Sequence, residues 1–208
     1  YFFTLYANSD GIEAKFDTSS PVVIDRYILS KTRDLIEQVQ SHMDTYDLPG
    51  ACQTILSFID ALNNWYIRRS RDRFWKSEQD ADKTHAYNTL YSVLTTLCKV
   101  AAPLLPLISD EVYRGLTGGG SVHLTDWPNR DDLPTDPNLV ASMDRVREVC
   151  SVALSIRKAH SRRVRLPLSE LTVSHPDAES LRGFADIIAD EVNVKEVSLT
   201  TERESGVT

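Results

Sequence analysis

The sequence has few of the features that mark secreted, metal-binding or membrane-spanning chains. Among its 208 residues only three are cysteines, and Cys52, Cys98 and Cys150 form no C-x-x-C pair. This pattern predicts neither a disulfide framework nor a zinc site, and it is typical of a reducing compartment. The longest apolar stretch, 100–108, contains two prolines and is far shorter than the roughly 20 residues that span a bilayer. We therefore expect a cytoplasmic protein with no membrane partner.

Signatures of nucleotide binding and catalysis are also missing. The sequence contains no G-x-G-x-x-G, G-x-x-x-x-G-K-[ST], G-x-S-x-G or H-E-x-x-H pattern. Its five histidines are scattered without the spacing of a metal site, and the glycine run at 118–120 follows a helical pattern instead of preceding one. We therefore predict no catalytic residue and no metal ligand in this chain.

Positive charge is scarce overall but locally concentrated. The net charge is −7. Segment 66–76 nevertheless contains five basic residues and one acidic residue, and segment 157–165 contains five basic residues and no acidic one. Arginines next to aromatic rings suit unpaired RNA nucleotides, because guanidinium groups fork onto phosphates and stack on bases. The same residues would also complement a helix C-terminus and fill a helical bundle, so composition leaves both interpretations open.

Apolar periodicity predicts a mainly α chain whose helices begin at cap residues. The expected caps are Ser20, which precedes Pro21, Asp47, which has Pro49 two residues later, and then Asp80 or Asp82. The predicted helices cover about 21–46, 47 to 75 or 76, 80–116 with a break at Pro103 and Pro106, and 138–160. The predicted inward positions of the second helix are Cys52, Ile55, Leu56, Ile59, Leu62 and Tyr66.

The period changes after Pro167. Segments 168–174 and 194–200 alternate in the manner of strands, and 177–190 between them returns to helical spacing. This crossover is long enough for the two strands to lie parallel. The sequence thus predicts a helical bundle over 21–165 and a small α/β appendage over 166–208.

The end of the second helix resembles a known family signature. Its string N-W-Y-I-R-R-S-R at 64–71, followed by R-F-W at 73–75, is similar to N-W-Y-[IV]-R-R-S-R-x-R-F-W of the isoleucyl-tRNA synthetases, a class I aminoacyl-tRNA synthetase family. Four further stretches agree in order: DRYILS at 25–30, AAPLLP at 101–106, SVHLTDWP at 121–128 and DEVNVKEV at 190–197. The resemblance covers nearly the whole chain.

The resemblance implies an antiparallel helical bundle, the class I anticodon-binding domain, followed by a small α/β part. Residues 1–20 would be a leader from the end of the catalytic region, and 166–208 the start of a truncated junction domain. The chain begins with Tyr1, and we interpret it as a piece of a longer polypeptide. Its expected partners are the anticodon stem-loop of an isoleucine-accepting tRNA and the catalytic domain of the same polypeptide, in a monomer.

Members of this family ligate isoleucine to tRNA and use ATP and magnesium. Their nucleotide-binding motifs of the H-I-G-H and K-M-S-K-S types are absent from this sequence. The resemblance therefore implies that the fragment alone is inactive and holds no cofactor, although the full-length enzyme uses ATP and magnesium.

Candidate tRNA-binding residues come from the two basic windows. In the second window Arg163 and Arg165 match the basic positions of a K-V-R-x-P-L pattern of the family, with arginine in place of lysine at 163. A solvated basic linker would have the same composition. The predicted tRNA-binding residues are Trp65, Arg68, Arg69, Arg71, Arg73, Trp75, Lys76, Arg162, Arg163 and Arg165.

Two other functions fit the sequence. The first is the anticodon-binding domain of a valyl or leucyl relative, although the R-R-S-R string at 68–71 resembles the isoleucyl family specifically. The second is a helical scaffold or adaptor that binds no RNA, which the acidic net charge favours.

Overall fold

The computed structural model describes residues 2–78 and 80–201, without the side chain of Phe2. The chain divides into two compact units, Tyr1–Asp136 and Pro137–Thr208. The helices of the first unit are α1 (Phe2–Asp10), α2 (Val23–Asp44), α3 (Leu48–Ala61), a π-helical turn (Leu62–Ile67), α4 (Arg68–Trp75), α5 (Ala81–Ala101), α6 (Pro106–Thr117) and 3₁₀ turns at Val122–Leu124 and Arg130–Asp132. Helix α2 packs against α3 and α5, and α5 packs against α4 and α6.

The second unit contains the predicted α/β part. Its elements are α7 (Pro137–Ala159), β1 (Leu168–Ser174), a 3₁₀ helix (Ala178–Phe184), α8 (Ala185–Val192) and β2 (Val194–Thr200). The two strands pair in parallel from Leu168 opposite Val194 to Ser174 opposite Thr200, which confirms the predicted topology. Because α7 packs against α8 and the 3₁₀ helix, it belongs to this unit. The predicted boundary at 165 therefore differs from the division of the structure, which falls between 136 and 137.

Most predicted helix boundaries are confirmed by cap geometry. The Asp47 and Asp80 side chains accept hydrogen bonds from the backbone N–H three residues later, at 3.0 and 2.7 Å. Gly118 has φ +63° and ends α6, a conformation that suits glycine. The predicted cap at Ser20 is wrong: α2 begins at Val23, and the Ser20 hydroxyl donates to Asp25 instead.

Helix α5 is buried on nearly all sides and carries polar side chains into the core. An extended segment between α1 and α2 runs beside it and needs acceptors for its backbone N–H groups. Asn88 Oδ1 accepts from the Lys15 backbone N–H at 3.0 Å, and Ser92 Oγ accepts from that of Asp17 at 2.9 Å. The polar residues of α5 therefore fasten the segment that precedes α2.

Helix α1 lies in the segment predicted as a leader and is joined to α5 by a buried cation. The ammonium group of Lys83, which is fully buried, donates to the Asp10 carboxylate at 2.7 Å and to the Lys76 carbonyl at 2.6 Å. The Tyr87 hydroxyl donates to the same carboxylate at 2.5 Å. The hydrogen bonds from Lys83 and Tyr87 lower the pKa of Asp10.

Asp10→Asn should reduce the acid sensitivity of the fold. Because the folded-state pKa of Asp10 is below its ordinary value of 3.8, the carboxylate stabilises the fold above that value. This stabilisation disappears as the pH falls through the folded-state pKa. Urea unfolding at about pH 7 and about pH 2.5 should therefore show a larger loss of stability in the wild-type chain than in the variant. Asp44→Asn, at an exposed position, is the control, and an equal loss in wild type and Asp10→Asn would contradict the expectation.

Candidate nucleic-acid interface

The first basic window lies on the π-helical turn and α4. Positions 68, 71 and 75 follow the i, i+3, i+7 spacing that places side chains on one helix face. Arg68 and Arg71 are exposed, and Trp75 keeps 54% of its surface accessible. We refer to Arg68, Arg71 and Trp75 as the outer arginine face.

The two arginines of the outer arginine face differ in their contacts. Arg68 Nε donates to the backbone carbonyl of Asn64 at 2.9 Å. The Arg71 guanidinium has no hydrogen-bond or ion-pair partner among the residues that the structure describes. An unneutralised guanidinium beside an exposed indole ring can bind a phosphate or stack on a base.

Arg73 points to the opposite face and binds a buried carboxylate. Its Nη1 and Nη2 donate to the two oxygens of the fully buried Asp25 at 2.7 and 2.8 Å, and its Nε donates to Asp82 at 2.8 Å. The same Asp25 carboxylate accepts from the hydroxyls of Ser20 at 2.6 Å and Tyr66 at 3.0 Å. The prediction that Arg73 contacts tRNA is therefore corrected, because all three of its nitrogens are engaged inside the protein.

Two groups of this network, Tyr66 and Arg73, have raised pKa values. Burial, together with the negative charge of Asp25, raises the pKa of Tyr66 far above its ordinary value, so the phenol remains a neutral donor. Burial alone would lower the pKa of Arg73, but the hydrogen bond and the charge of Asp25 outweigh it and raise that pKa. Arg73 is thus a cation bound to the Asp25 carboxylate beneath α4.

Trp65 and Arg69 are less accessible than the sequence predicts, and Lys76 is exposed but paired with carboxylates. Trp65 is only 4% exposed, and the Arg69 guanidinium lies 5.4 Å from the centre of its ring, a cation–π contact. The prediction that the Trp65 ring meets tRNA is corrected, because the ring is enclosed by protein. Lys76 Nζ is exposed but lies 3.1 Å from Asp82 and 3.5 Å from Asp80. Its hydrogen bond to Asp82 raises the pKa of Lys76.

The second basic window contains one buried and three exposed arginines. Arg157 is 4% exposed, and its guanidinium donates to backbone carbonyls of the second unit. Arg162, Arg163 and Arg165 are exposed, and their side chains have no hydrogen-bond or ion-pair partner in the described part of the chain. The two windows belong to different compact units, and each is described separately.

The structural role of Arg157 was not recognised in the sequence, although a signal for it exists. The buried residues of α7 include Met143, Val146, Cys150, Ala153 and Arg157. Arg157 therefore continues an apolar stripe with steps of three and four, which places its side chain inward. A charged residue on such a stripe indicates a buried guanidinium that needs hydrogen-bond acceptors inside the protein, and both Nη atoms of Arg157 have them.

Residues 2–78 and 80–201 contain neither a metal-binding cluster nor a helix able to span a membrane. No group of three or more His, Cys, Asp or Glu side chains in these residues is arranged to hold a metal ion. Within the same ranges, none of the helices combines the length and apolar character needed to cross a membrane.

Comparison with known proteins assigns the segment that carries both basic windows to an RNA-binding family. Residues 25–172 match the model of the family described as the anticodon-binding domain of tRNA ligase. The chain is 53% identical over 97% of its length to isoleucine–tRNA ligase of Nocardia farcinica, and 53% identical over its full length to that of Leifsonia xyli subsp. xyli. It is 50% identical over 96% of its length to isoleucine–tRNA ligase of Mycobacterium tuberculosis.

The matched relatives are much longer than this chain, which covers 18–19% of their length. The match to the family model nevertheless includes most of the chain and contains both basic windows. The chain therefore belongs to the family of anticodon-binding domains of tRNA ligases and corresponds to that region of the isoleucine–tRNA ligases.

Proposed function

We propose that this chain holds the anticodon stem-loop of an isoleucine-accepting tRNA on an isoleucine–tRNA ligase. The observation that carries the proposal is the outer arginine face, where Arg68, Arg71 and Trp75 are exposed on one side of α4. Membership of the anticodon-binding family supports RNA as the ligand of this face. The identity of about half of the residues with isoleucine–tRNA ligases supports the choice of tRNA.

The outer arginine face acts by positioning and contributes no bond-making step. Its two guanidinium groups bind phosphate oxygens in a forked geometry or stack on unpaired bases, and the Trp75 ring adds a stacking platform. Lys76 adds positive charge at the C-terminal end of α4, where its two carboxylate neighbours reduce its contribution. Arg73 holds α4 in place from the opposite side.

The chemistry of the full-length enzyme is assigned to other parts of the polypeptide. There, a catalytic domain ligates isoleucine to tRNA in the cytoplasm and uses ATP and magnesium. The described residues contain no group of three or more His, Cys, Asp or Glu side chains that could hold a metal ion. We propose that the enzyme is a monomer in which the catalytic domain and this chain contact the same tRNA.

Alanine substitution of the outer arginine face should weaken tRNA binding in a way that identifies the contact. If Arg68 or Arg71 binds a phosphate, its change to alanine lowers the slope of log affinity against log salt by about 0.7–0.9, for every tRNA. If it binds an anticodon base, discrimination between cognate and non-cognate loops falls by about 1–3 kcal/mol with a smaller change in slope. Titration of isoleucine tRNA at several salt concentrations measures both quantities.

Arg26→Ala is the matched control, because Arg26 is an exposed α2 arginine that is paired with Asp136 at 2.5 Å. It should leave the slope and the discrimination at wild-type values. The absence of saturable binding by the wild-type chain would favour a helical scaffold. If the wild-type chain bound isoleucine, valine and leucine tRNAs with equal affinity, the proposal that it selects an isoleucine-accepting tRNA would be contradicted.

A further inference from the structure

The loop between α7 and β1 is held from beneath by a single buried guanidinium. Arg157 Nη2 donates to the carbonyls of Arg163 at 2.6 Å and Leu166 at 2.5 Å, and Nη1 donates to that of Val192 at 3.1 Å. We refer to residues 161–166 as the basic loop. One side chain of α7 thus joins the basic loop to the end of α8.

A second anchor comes from Asn193, the residue between α8 and β2. Its Nδ2 donates to the Val164 carbonyl at 2.6 Å, and its own carbonyl accepts from the Leu168 backbone N–H at 3.1 Å. Asn193 has φ +56°, a left-handed conformation that asparagine tolerates better than most residues. Carbonyls of the basic loop are therefore bound by one side chain of α7 and by one at the end of the crossover that links the two strands.

Anchoring the carbonyls inward leaves the cationic side chains outside. Ser161, at φ +54°, turns the chain out of α7, and Arg162, Arg163 and Arg165 are exposed. Segment 157–167 contains no carboxylate, and these three side chains have no partner among the described residues. The basic loop therefore presents three unneutralised guanidinium groups on a fixed backbone.

We propose that the basic loop is a preformed contact for the phosphodiester backbone of RNA, and that Arg157 and Asn193 are its positioning residues. This rests on the proposed function and adds the class of group that the loop binds. Guanidinium groups match phosphate oxygens in geometry and charge, and the loop contains no aromatic ring on which a base could stack. A backbone that is already ordered loses less conformational entropy on binding.

The first arm of the test removes the cations. The triple variant Arg162→Ala, Arg163→Ala, Arg165→Ala of the 208-residue chain is titrated with isoleucine tRNA at several salt concentrations. The slope of log affinity against log salt should fall by about 2–3, and equally for cognate and non-cognate tRNAs. Arg182→Ala is the matched control: it removes an exposed arginine of the same unit that is paired with Glu179 at 2.9 Å, and the slope should not change. A wild-type slope in the triple variant would overturn the proposal.

The second arm removes one anchor and keeps the cations. Asn193→Gly retains the left-handed backbone, since glycine adopts it freely, and loses the hydrogen bond to Val164. We expect tRNA affinity to fall about twofold to tenfold, the range of one hydrogen bond. In the triple-alanine background the same change should have no effect on affinity, because the anchor acts through those arginines. A general loss of stability would lower affinity equally in both backgrounds.

The outcomes separate this inference from the proposed function. If the wild-type chain binds no tRNA, both fail. If the wild-type chain binds tRNA and Asn193→Gly leaves its affinity unchanged, or weakens it equally in the two backgrounds, the positioning role is overturned and the proposed function stands. Arg157→Lys keeps the charge and loses the forked geometry. It should lower tRNA affinity as Asn193→Gly does, again only when the three arginines are present, and cooperative unfolding in urea checks that the variant is folded.

Discussion

Asp25→Ala should lower the free energy of unfolding by about 3–5 kcal/mol. The carboxylate is fully buried and accepts hydrogen bonds from Ser20, Tyr66 and Arg73. Its removal leaves two hydroxyls without their acceptor and leaves the Arg73 guanidinium, whose side chain is 12% exposed, without its bidentate partner. An uncompensated charge in such a position costs far more than the net value of the pair.

Urea unfolding of the 208-residue chain at neutral pH measures this loss. Asp136→Ala is the matched control, because that aspartate pairs with Arg26 at 2.5 Å in a more exposed position and should cost at most about 1 kcal/mol. In the Asp25→Ala background, Arg73→Met should restore part of the stability by removing the unpaired charge. Similar losses for Asp25→Ala and Asp136→Ala would show that the buried network does not stabilise the fold.

Leu90→Ala should cost about 2–5 kcal/mol of unfolding free energy. Leu90 is fully buried on α5, the helix that packs against α2, α4 and α6. Alanine there removes apolar contacts and leaves a cavity that the surrounding helices fill only in part. The midpoint of urea unfolding should fall accordingly.

Leu56→Ala is the matched control for the same chemical change. Leu56 lies on α3 and is 60% exposed, so its truncation should change the free energy of unfolding by no more than about 0.5 kcal/mol. The apolar spacing of the second helix predicted Leu56 and Cys52 as inward positions, and both are exposed. A loss at Leu56 as large as that at Leu90 would contradict the packing described for α3.

The sequence predicted the elements whose signals are local. Asp47, Asp80 and Gly118 mark helix ends through bonds and dihedral angles that involve only neighbouring residues. The change to a period of two identified both strands, and the length of the crossover indicated their parallel pairing. The polar face of α5 was not predicted, because Asn88 and Ser92 are satisfied by backbone 73 and 75 residues away.

The same contrast between local signals and long-range contacts explains which parts of the candidate site the sequence could predict. Helical spacing places Arg68 and Arg71 on a different side of the helix from Tyr66 and Arg73, because spacing is a local property. That Arg73 is buried depends on Asp25, which lies 48 positions earlier in the chain. A periodic pattern shows which residues share a face, and only the folded chain shows which face meets a carboxylate. Exposure to RNA therefore could not be assigned arginine by arginine.

The π-helical turn at Leu62–Ile67 also limits how this segment can change in length. In an α-helix each residue advances the direction of the side chains by about 100°. A π-helical turn already holds one residue more than an α-helical turn, so addition of a further residue would rotate every later side chain of α4 by about that angle relative to Asp25. Arg73 would leave its carboxylate, and Arg68 and Arg71 would face a different direction. Single-residue insertions in 62–67 should accordingly be rare, even where substitutions are tolerated.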